Sequence, residues 1–248
     1  MDIWHKKWVH VLRRITILET ANQEQSFLRE LSEVDACRIL GFVNAHAMNM
    51  LEKEDGFYSG LVGADFLLRD GSGMKVLYNK FRKSAGMNLN GTDFIPKILQ
   101  AYRGRRVAFW GTTGPVVNAA AESAEVLYGS RIVSKMDGFK EVGDYIQLAK
   151  THVPELIILG MGMPKQEVIA QALRHHSSAP ALIVCGGAII DFLGGKVPRA
   201  PTWMRRFGIE WVFRLLREPK RMFARYVIGN PKFLIRANKL TRRYSEID

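Results

Sequence analysis

Residues 156–175, LIILGMGMPKQEVIAQALRH, combine a short apolar run, a glycine-rich turn and a segment with helical periodicity. The apolar run at 156–159 has the length and the β-branched residues of a buried strand. Residues 165–175 are long enough for three helical turns. A strand that leads through glycines directly into a helix is the repeating unit of a parallel sheet. This stretch therefore predicts an α/β fold.

The same unit recurs along most of the chain. The other candidate strands are residues 39–43, 66–68, 107–110, 131–134 and 182–185, and the N-terminal part adds a candidate edge strand at 15–18. Helical segments are predicted at 25–31, 73–81, 94–102, 115–127 and 143–150. Alternation of this kind predicts a Rossmann-like, mostly parallel sheet with helices on both faces, over residues 1–198.

The positive charge of the chain is concentrated near its C-terminus. Residues 199–243 hold 13 Lys and Arg but only two acidic residues, whereas the remainder holds 23 basic and 22 acidic residues. Trp203, Phe207 and Trp211 are interleaved there with arginines. Such a segment favours polyanions, which include anionic lipid, nucleic acid and diphosphates. We therefore predict a basic, helical C-terminal appendage over residues 199–248.

Other features exclude several classes of protein. The two cysteines, Cys37 and Cys185, have no metal or redox spacing and indicate a reducing compartment. No apolar run is long enough to span a membrane, and the N-terminus lacks a signal-peptide pattern. The glycine-rich loops lack both the dinucleotide fingerprint and a Walker lysine, which disfavours dehydrogenases and kinases. We expect a cytoplasmic protein with no metal site and no cofactor.

Candidate site residues lie where strands end. Ligands of parallel α/β sheets bind beyond the carboxyl ends of the strands, and backbone N–H groups of the loops at 109–115 and 159–164 could hold a diphosphate. Asp70 directly follows a predicted strand and precedes Gly71-Ser72-Gly73. This position suits a general base, and the alternative is that Asp70 only caps the next helix.

A set of motifs follows in order after Gly160. They are Gly160-x-Gly162-x-Pro164-x-Gln166-Glu167, Gly186-Gly187-x-x-x-Asp191-x-x-x-Gly195, Arg199-Ala200-Pro201-x-Trp203, Gly208-x-Glu210-Trp211-x-x-Arg214-Leu215, Glu218-Pro219-x-Arg221 and Arg225-Tyr226. Their order and spacing closely resemble those of the WecG/TagA/CpsF glycosyltransferases, glycosyltransferase family 26. The resemblance covers roughly residues 38–228.

The resemblance implies an inverting transfer from a UDP-sugar to a polyprenyl-diphosphate-linked sugar, in the synthesis of teichoic acid linkage units, common antigen or exopolysaccharide. It implies a catalytic domain at residues 1–198 and an appendage that reaches the acceptor and the anionic inner face of the plasma membrane. Asp70 matches the proposed base of the family. Donor binding is expected at Asn44, Asp93, Gly111, Gly160, Gly162, Gln166, Glu167, Gly187 and Asp191, and binding of the acceptor or its diphosphate at Arg199, Arg214, Arg221 and Arg225. Since no Asp-x-Asp motif is present, arginines and helix N-termini would stabilise the leaving diphosphate.

Two departures from the family concern the transferred sugar. Phe42 stands where members often carry a threonine two residues before Asn44, and Asn88 stands where they often carry an arginine. Both positions should lie near the donor, and the departures favour a plain hexose, glucose, over N-acetylmannosamine or N-acetylmannosaminuronic acid. The alternative hypotheses from other functional classes are a nucleic-acid-binding protein and a non-catalytic membrane scaffold. The motif set favours an enzyme without a nucleic-acid partner and leaves homo-oligomerisation open.

Overall fold

The structure is a computed structural model that describes residues 3–244. Its centre is a seven-stranded sheet with the order β1-β3-β2-β7-β6-β4-β5, in which all neighbouring pairs are parallel. The strands are β1 Ile15–Thr16, β2 Cys37–Val43, β3 Phe66–Arg69, β4 Arg106–Gly111, β5 Arg131–Met136, β6 Leu156–Gly160 and β7 Ala181–Cys185. The predicted Rossmann-like fold is confirmed, and each predicted strand is present with its ends shifted by at most two residues.

Helices occupy most of the intervening chain. They are α1 Ile3–Arg13, α2 Ala21–Ser32, α3 Ala45–Met50, α4 Asp55–Val62, α5 Ser72–Lys80, α6 Gly91–Ala101, α7 Gly114–Tyr128, α8 Val142–His152, α9 Lys165–His176, α10 Ile189–Leu193, α11 Thr202–Arg206, α12 Glu210–Arg217, α13 Pro219–Phe223 and α14 Gly229–Arg243. A π-helical turn, Ala224–Ile228, joins α13 to α14. Sequence analysis did not predict α1, α3 or α4.

The central strands are buried on both faces. Leu156 and Ile158 of β6 belong to one apolar cluster, whereas Ile157 and Leu159 belong to the other. Successive side chains of a strand point to opposite faces, so the sheet separates two apolar layers. One layer includes residues of α1, α3, α4, α5, α9 and α14, and the other includes residues of α2, α6 and α7. Helices on both faces explain why the strands are continuously apolar.

The N-terminal helix α1 packs against the C-terminal helix α14. Trp8 is fully buried, stacks on Phe233 at 5.3 Å between ring centroids, and donates its indole N–H to the Met48 carbonyl at 2.8 Å. The apolar positions of α1 recur at helical spacing, a signal that sequence analysis missed: Trp4, Trp8, Val11 and Leu12. The two ends of the chain therefore share one core layer.

The basic C-terminal segment has two structurally different parts. Phe233, Ala237 and Leu240 of α14 are buried in the core layer that also holds α1, and Arg236 lies 4.9 Å above the Trp4 ring. In α12, by contrast, no residue is fully buried. Helix α14 is therefore an integral part of the sheet's packing, while α11–α13 lie at the surface and expose most of their basic side chains. Within residues 3–244, no helix has the length and hydrophobicity required to cross a bilayer.

Candidate active site

A cleft of about 1150 Å³ lies over the carboxyl ends of four adjacent strands, in the order β3-β2-β7-β6. The loops that follow these strands line it at residues 44–46, 70–73, 160–163 and 185–188. The other wall consists of residues from α11, α12, α13, the π-helical turn and α14. The cleft thus combines the usual ligand position of a parallel sheet with side chains of the basic C-terminal segment.

Asp70 lies in the cleft directly after β3. Its backbone N–H donates to the Val43 carbonyl at 2.9 Å, and the Asn44 side-chain amide donates to Oδ2 of its carboxylate at 3.3 Å. Helix α5 begins after Gly71, which has a φ of +85°, and no side chain caps it. The capping alternative for Asp70 is therefore not supported. Asn44 itself caps α3, because its Oδ1 accepts the N–H of Ala47 at 3.0 Å.

A buried arginine stabilises the turn after β3 through hydrogen bonds. Arg69 is 3% exposed and donates to the carbonyls of Gly71, Ala85 and Gly86 at 3.0, 2.7 and 3.1 Å. Asn88 accepts the N–H of Gly71 at 2.9 Å through its side-chain oxygen. Asn88, where the family often has an arginine, therefore helps to hold the turn that carries the candidate base.

Gln166 joins the two glycine-rich loops of the cleft. Its side-chain oxygen accepts the N–H groups of Gly162 at 3.2 Å and Gly187 at 3.1 Å. Its side-chain nitrogen donates to the Cys185 carbonyl at 3.2 Å and to Glu167 Oε1 at 2.8 Å. A glutamine amide has two acceptor sites and two donor hydrogens, and the protein occupies all four. Gln166 lines the cleft, and its geometry is that of a residue that positions the two loops.

Glu167 lies outside the lining of the cleft. It is 2% exposed and faces α4, where a Cβ on Gly60 would lie 2.9 Å from the Glu167 Cβ. Its Oε2 has no hydrogen-bond partner among the described residues. Burial raises the pKa of Glu167 to about 7, and the hydrogen bond from Gln166 offsets this effect only in part.

The carboxylate of Asp191 lines the cleft at the start of α10. It is 8% exposed and accepts hydrogen bonds from the Thr112 hydroxyl at 2.6 Å and from Lys196 Nζ at 3.1 Å. Asp191 therefore ties the loop after β4 to the cleft. Gly111, the last residue of β4, lies outside the lining, and it packs so closely that a Cβ there would be 2.5 Å from the Gly160 carbonyl carbon. Gly160, Gly162 and Gly187 line the cleft.

Asp93 and Arg199 form an ion pair outside the cleft lining. Arg199 donates to Asp93 Oδ1 at 2.5 Å, Asn90 donates to Oδ2 at 2.7 Å, and Arg205 lies 3.7 Å from Oδ1. Burial acts to raise the pKa of Asp93, but the hydrogen bonds from Asn90 and Arg199 and the two nearby guanidinium charges outweigh it and lower this pKa. This pair connects the start of the C-terminal segment to α6.

The other three predicted arginines line the cleft but differ in their partners. Arg214 pairs with Glu210 at 3.3 Å, and Arg221 pairs with Glu218. Arg225, on the π-helical turn, has no carboxylate partner within residues 3–244, and its Nε is buried without a hydrogen bond. Arg225 is therefore the member of this trio whose charge the protein leaves unpaired.

Sequence analysis missed some residues of the cleft. His46, Arg205, Tyr226 and Asn230 all line it. His46 stands two residues after Asn44, so its position just beyond a predicted strand was an available signal. Tyr226 was part of the Arg225-Tyr226 motif but had no predicted role. Arg205 and Asn230 had no such signal, because only the packing of α11 and α14 brings them to the sheet. Within the described chain, no group of three or more His, Cys, Asp or Glu is arranged to hold a metal ion.

Comparison with known proteins decides the family. The sequence profile of the glycosyl transferase WecG/TagA/CpsF family matches residues 10–246. The chain belongs to this family. Since the match covers the Rossmann-like body and nearly all of the basic C-terminal segment, both parts belong to the family's fold, and the resemblance predicted from the motifs is confirmed.

Named relatives give the activity of similar proteins. The chain is 29% identical over 181 residues to the N-acetylglucosaminyldiphosphoundecaprenol N-acetyl-beta-D-mannosaminyltransferase of Bacillus spizizenii strain W23, covering 70% of this chain and 68% of that relative. Proteins of the same name are 24% identical in Bacillus subtilis strain 168, over 79% of this chain and 77% of the relative, and in Staphylococcus aureus strain MW2, over 72% of each. These names specify N-acetylmannosamine as the transferred sugar, so the predicted transfer of glucose is not supported.

The buried carboxyl of Glu167 predicts a pH-dependent stability. Its pKa is about 7 in the folded protein against an ordinary 4.5, so the folded state favours the protonated form. The free energy of unfolding should therefore fall as the pH rises from about 5 to about 8, by up to about 3 kcal/mol from this group. Glu167→Gln should remove this loss, as measured by urea unfolding at both pH values.

The matched control is Glu122→Gln, which changes an exposed carboxylate on α7. It should keep the pH dependence of the wild type. The same pH dependence in Glu167→Gln as in the wild type would contradict the assignment.

Proposed function

We propose that this chain is an inverting glycosyltransferase that moves N-acetylmannosamine from a UDP-linked donor to a polyprenyl-diphosphate-linked sugar. The observation that carries the proposal is a single cleft that contains the carboxylate of Asp70 together with Arg214, Arg221 and Arg225. A base and a cluster of cations are the two parts that such a transfer requires. Family membership and the names of the relatives support this choice.

In this mechanism Asp70 accepts the proton of the acceptor hydroxyl as that oxygen attacks the anomeric carbon. The bond from this carbon to the diphosphate oxygen breaks at the same time, and UDP leaves with the bonding electrons. Attack from the face opposite the leaving group inverts the configuration. Asn44 binds Oδ2 of Asp70, and no protein donor within the described residues hydrogen-bonds to Oδ1, which suits Oδ1 to receive the proton.

The arginines would stabilise the diphosphate. The N–H groups of Gly162 and Gly187 donate to Gln166, so these two are not free to bind phosphate oxygens as the glycine pattern suggested. The guanidinium groups in the cleft supply positive charge instead, and they come from the C-terminal segment. Docking of that segment over the strand ends would therefore complete the site, and residues 199–248 would act as an acceptor-binding appendage to the catalytic domain at residues 1–198.

The apolar residues at the floor of the cleft favour an acetamido sugar over glucose as the transferred group. Phe42 is 4% exposed and Cys185 is 3% exposed, and both line the cleft beside the glycines that follow β7. Such apolar atoms suit the methyl group of an N-acetyl substituent, whereas the 2-hydroxyl of glucose would lose hydrogen bonds to water against them.

The surface of α11–α13 supports peripheral binding to an anionic membrane. Trp203, Phe207, Leu216 and Phe223 are exposed apolar residues, here called the apolar rim. Exposed basic residues of the same helices are Arg206, Arg217, Lys220 and Arg221. Aromatic and aliphatic side chains enter the interface of a bilayer, and each basic residue near anionic lipid adds about 1 kcal/mol. We place the enzyme at the inner face of the plasma membrane, where a polyprenyl-linked acceptor is held.

The choice of donor is tested by UDP release with an N-acetylglucosaminyl-diphosphate-lipid acceptor. UDP-N-acetylmannosamine should be used with a kcat/KM at least about tenfold above that of UDP-glucose, because the acetamido methyl contacts the apolar floor. UDP-N-acetylmannosaminuronic acid is the third donor. A preference for either of the other donors would reject N-acetylmannosamine while keeping the transfer, and release from none of them would reject the proposed function.

Asp70→Asn should lower kcat by about 10²-fold or more, the usual contribution of a general base, and leave UDP binding nearly unchanged. Titration calorimetry with UDP and turnover with the preferred donor measure the two effects. Asp35→Asn, which alters an exposed carboxylate paired with Arg38, is the matched control and should turn over normally. Turnover of Asp70→Asn within a few-fold of the wild type would contradict the role of Asp70.

Catalysis and membrane attachment should be separable within the appendage. Changing Arg214, Arg221 and Arg225 to Gln should reduce transfer to a water-soluble short-chain acceptor by about tenfold or more and weaken vesicle binding only modestly. Changing the four apolar-rim residues to Ser should strongly weaken vesicle binding and leave transfer to the water-soluble acceptor nearly unchanged, because these side chains are exposed at the surface. Sedimentation with phosphatidylglycerol-containing vesicles measures attachment.

Substitutions are preferable to truncation here, since deleting the segment would also remove α14 from the core. Val126→Ser together with Leu127→Ser, at exposed apolar positions on α7, is the matched control for the rim. Normal transfer by the triple arginine variant would exclude the proposed role of these arginines, and unchanged vesicle binding by the rim variant would exclude membrane attachment through the rim.

A further inference from the structure

His46 is an unassigned titratable side chain in the cleft. It lies in the first turn of α3, two residues after Asn44, and it is half-buried. Its imidazole has no hydrogen-bond partner among the described residues, although both of its ring nitrogens can take part in such bonds. A half-buried polar ring with no partner in the protein is suited to a ligand.

The packing of α3 brings His46 toward Arg225. Asn49, one helical turn after His46 on the same face of α3, donates its side-chain amide to the Gly229 carbonyl at 2.7 Å. Gly229 in turn follows Arg225 by four residues, across the π-helical turn. This hydrogen bond holds α3 against the end of that turn, and His46 and Arg225 both line the cleft.

The electrostatics of the pair agree with this geometry. Burial and, to a lesser extent, the positive charge of Arg225 lower the pKa of His46 to about 4. The imidazole is therefore neutral at neutral pH. Arg225 has a buried, unbonded Nε and no carboxylate partner within residues 3–244. The Arg225 guanidinium lies 5.5 Å from the Tyr226 ring centroid, but neither it nor His46 has a hydrogen-bond partner within residues 3–244. Two neighbouring groups without such partners, one of them cationic, indicate that the anion they would share comes from a ligand.

We propose that His46 and Arg225 together form a diphosphate-binding subsite of the cleft, in which both side chains donate hydrogen bonds to phosphate oxygens. The inference rests on the proposed function and assigns its diphosphate to particular side chains. UDP and the polyprenyl-linked acceptor carry the same diphosphate chemistry, and either is a candidate occupant.

Proton uptake follows from this arrangement. The negative charge of a diphosphate favours the imidazolium form, so His46 should gain a proton when the ligand binds. Arg225 is the charged group that lowers the pKa of His46. The other charged residues that line the same cleft are Asp70, Asp191, Arg205, Glu210, Arg214 and Arg221. A bound diphosphate carries more negative charge than Arg225 carries positive charge, so it favours the protonated form of His46.

Titration calorimetry on the full chain at about pH 6.5 tests the subsite, with UDP and geranyl diphosphate as separate probes. Each titration is run in two non-phosphate buffers of different ionisation enthalpy, which yields the number of protons taken up. With the ligand that occupies the subsite, the wild type should take up roughly half a proton more than His46→Gln, a difference that removes any contribution from titration of the ligand's own terminal phosphate. His46→Gln should bind that ligand about tenfold more weakly. His175→Gln, at an exposed position in the last turn of α9, should match the wild type.

A second measurement tests the subsite independently of whether His46→Gln folds correctly. Nuclear magnetic resonance titration of the His46 ring in Arg225→Gln should show a pKa above that of the wild type, since one cause of the low value is removed.

In the calorimetric titrations of His46→Gln, loss of affinity for UDP alone assigns the subsite to the donor, and loss of affinity for geranyl diphosphate alone assigns it to the acceptor. Wild-type affinity and proton uptake in His46→Gln with both probes would overturn the inference. The proposed function is tested separately by measuring transfer with the wild-type enzyme. Failure of the subsite proposal would therefore not contradict the proposed function.

Discussion

The amide of Gln166 is the contact on which the shape of the cleft depends. Gln166 is 1% exposed and binds the loop after β6 through Gly162 and the loop after β7 through Gly187 and Cys185. Because β6 and β7 are adjacent, one side chain sets the separation of two loops at the centre of the site. An amide whose hydrogen bonds are all satisfied by protein has none left for a ligand, so its part in binding is to preorganise these loops.

A second constraint places the cations opposite the strand ends. The core contact between Trp8 and Phe233 fixes α14, and the bond from Asn49 to Gly229 fixes the start of that helix against α3. At the other end of the segment, Asp93 holds Arg199. The surface helices α11–α13 are thus attached at both ends, and their arginines have limited freedom to leave the cleft. Fixed charges of this kind lower the cost of reorganisation when a leaving group develops negative charge.

The basic segment uses its charge in two ways. In the cleft, Arg214 pairs with Glu210 and Arg221 pairs with Glu218, the two acidic residues of the stretch 199–243. Arg225 has no carboxylate partner within the described residues. Arg206 and Arg217, outside the cleft lining, are exposed next to Phe207 and Leu216, which are also exposed. Residues 199–243, with 13 basic and two acidic residues, therefore supply both a local anion site and a surface suited to anionic lipid.

The amino-acid sequence by itself determined the parallel sheet and the position of Asp70, because strand periodicity and the residues next to a strand end are local features. Ordered motifs also identified the family. The sequence did not reveal that Glu167 and Gly111 lie outside the cleft lining or that His46 lies close to Arg225. Nor did it reveal that other protein groups satisfy all the hydrogen bonds of the Gln166 amide. Each of these depends on contacts between segments far apart in the chain. Only tertiary packing decides which polar atoms find partners within the protein and which are left for a ligand.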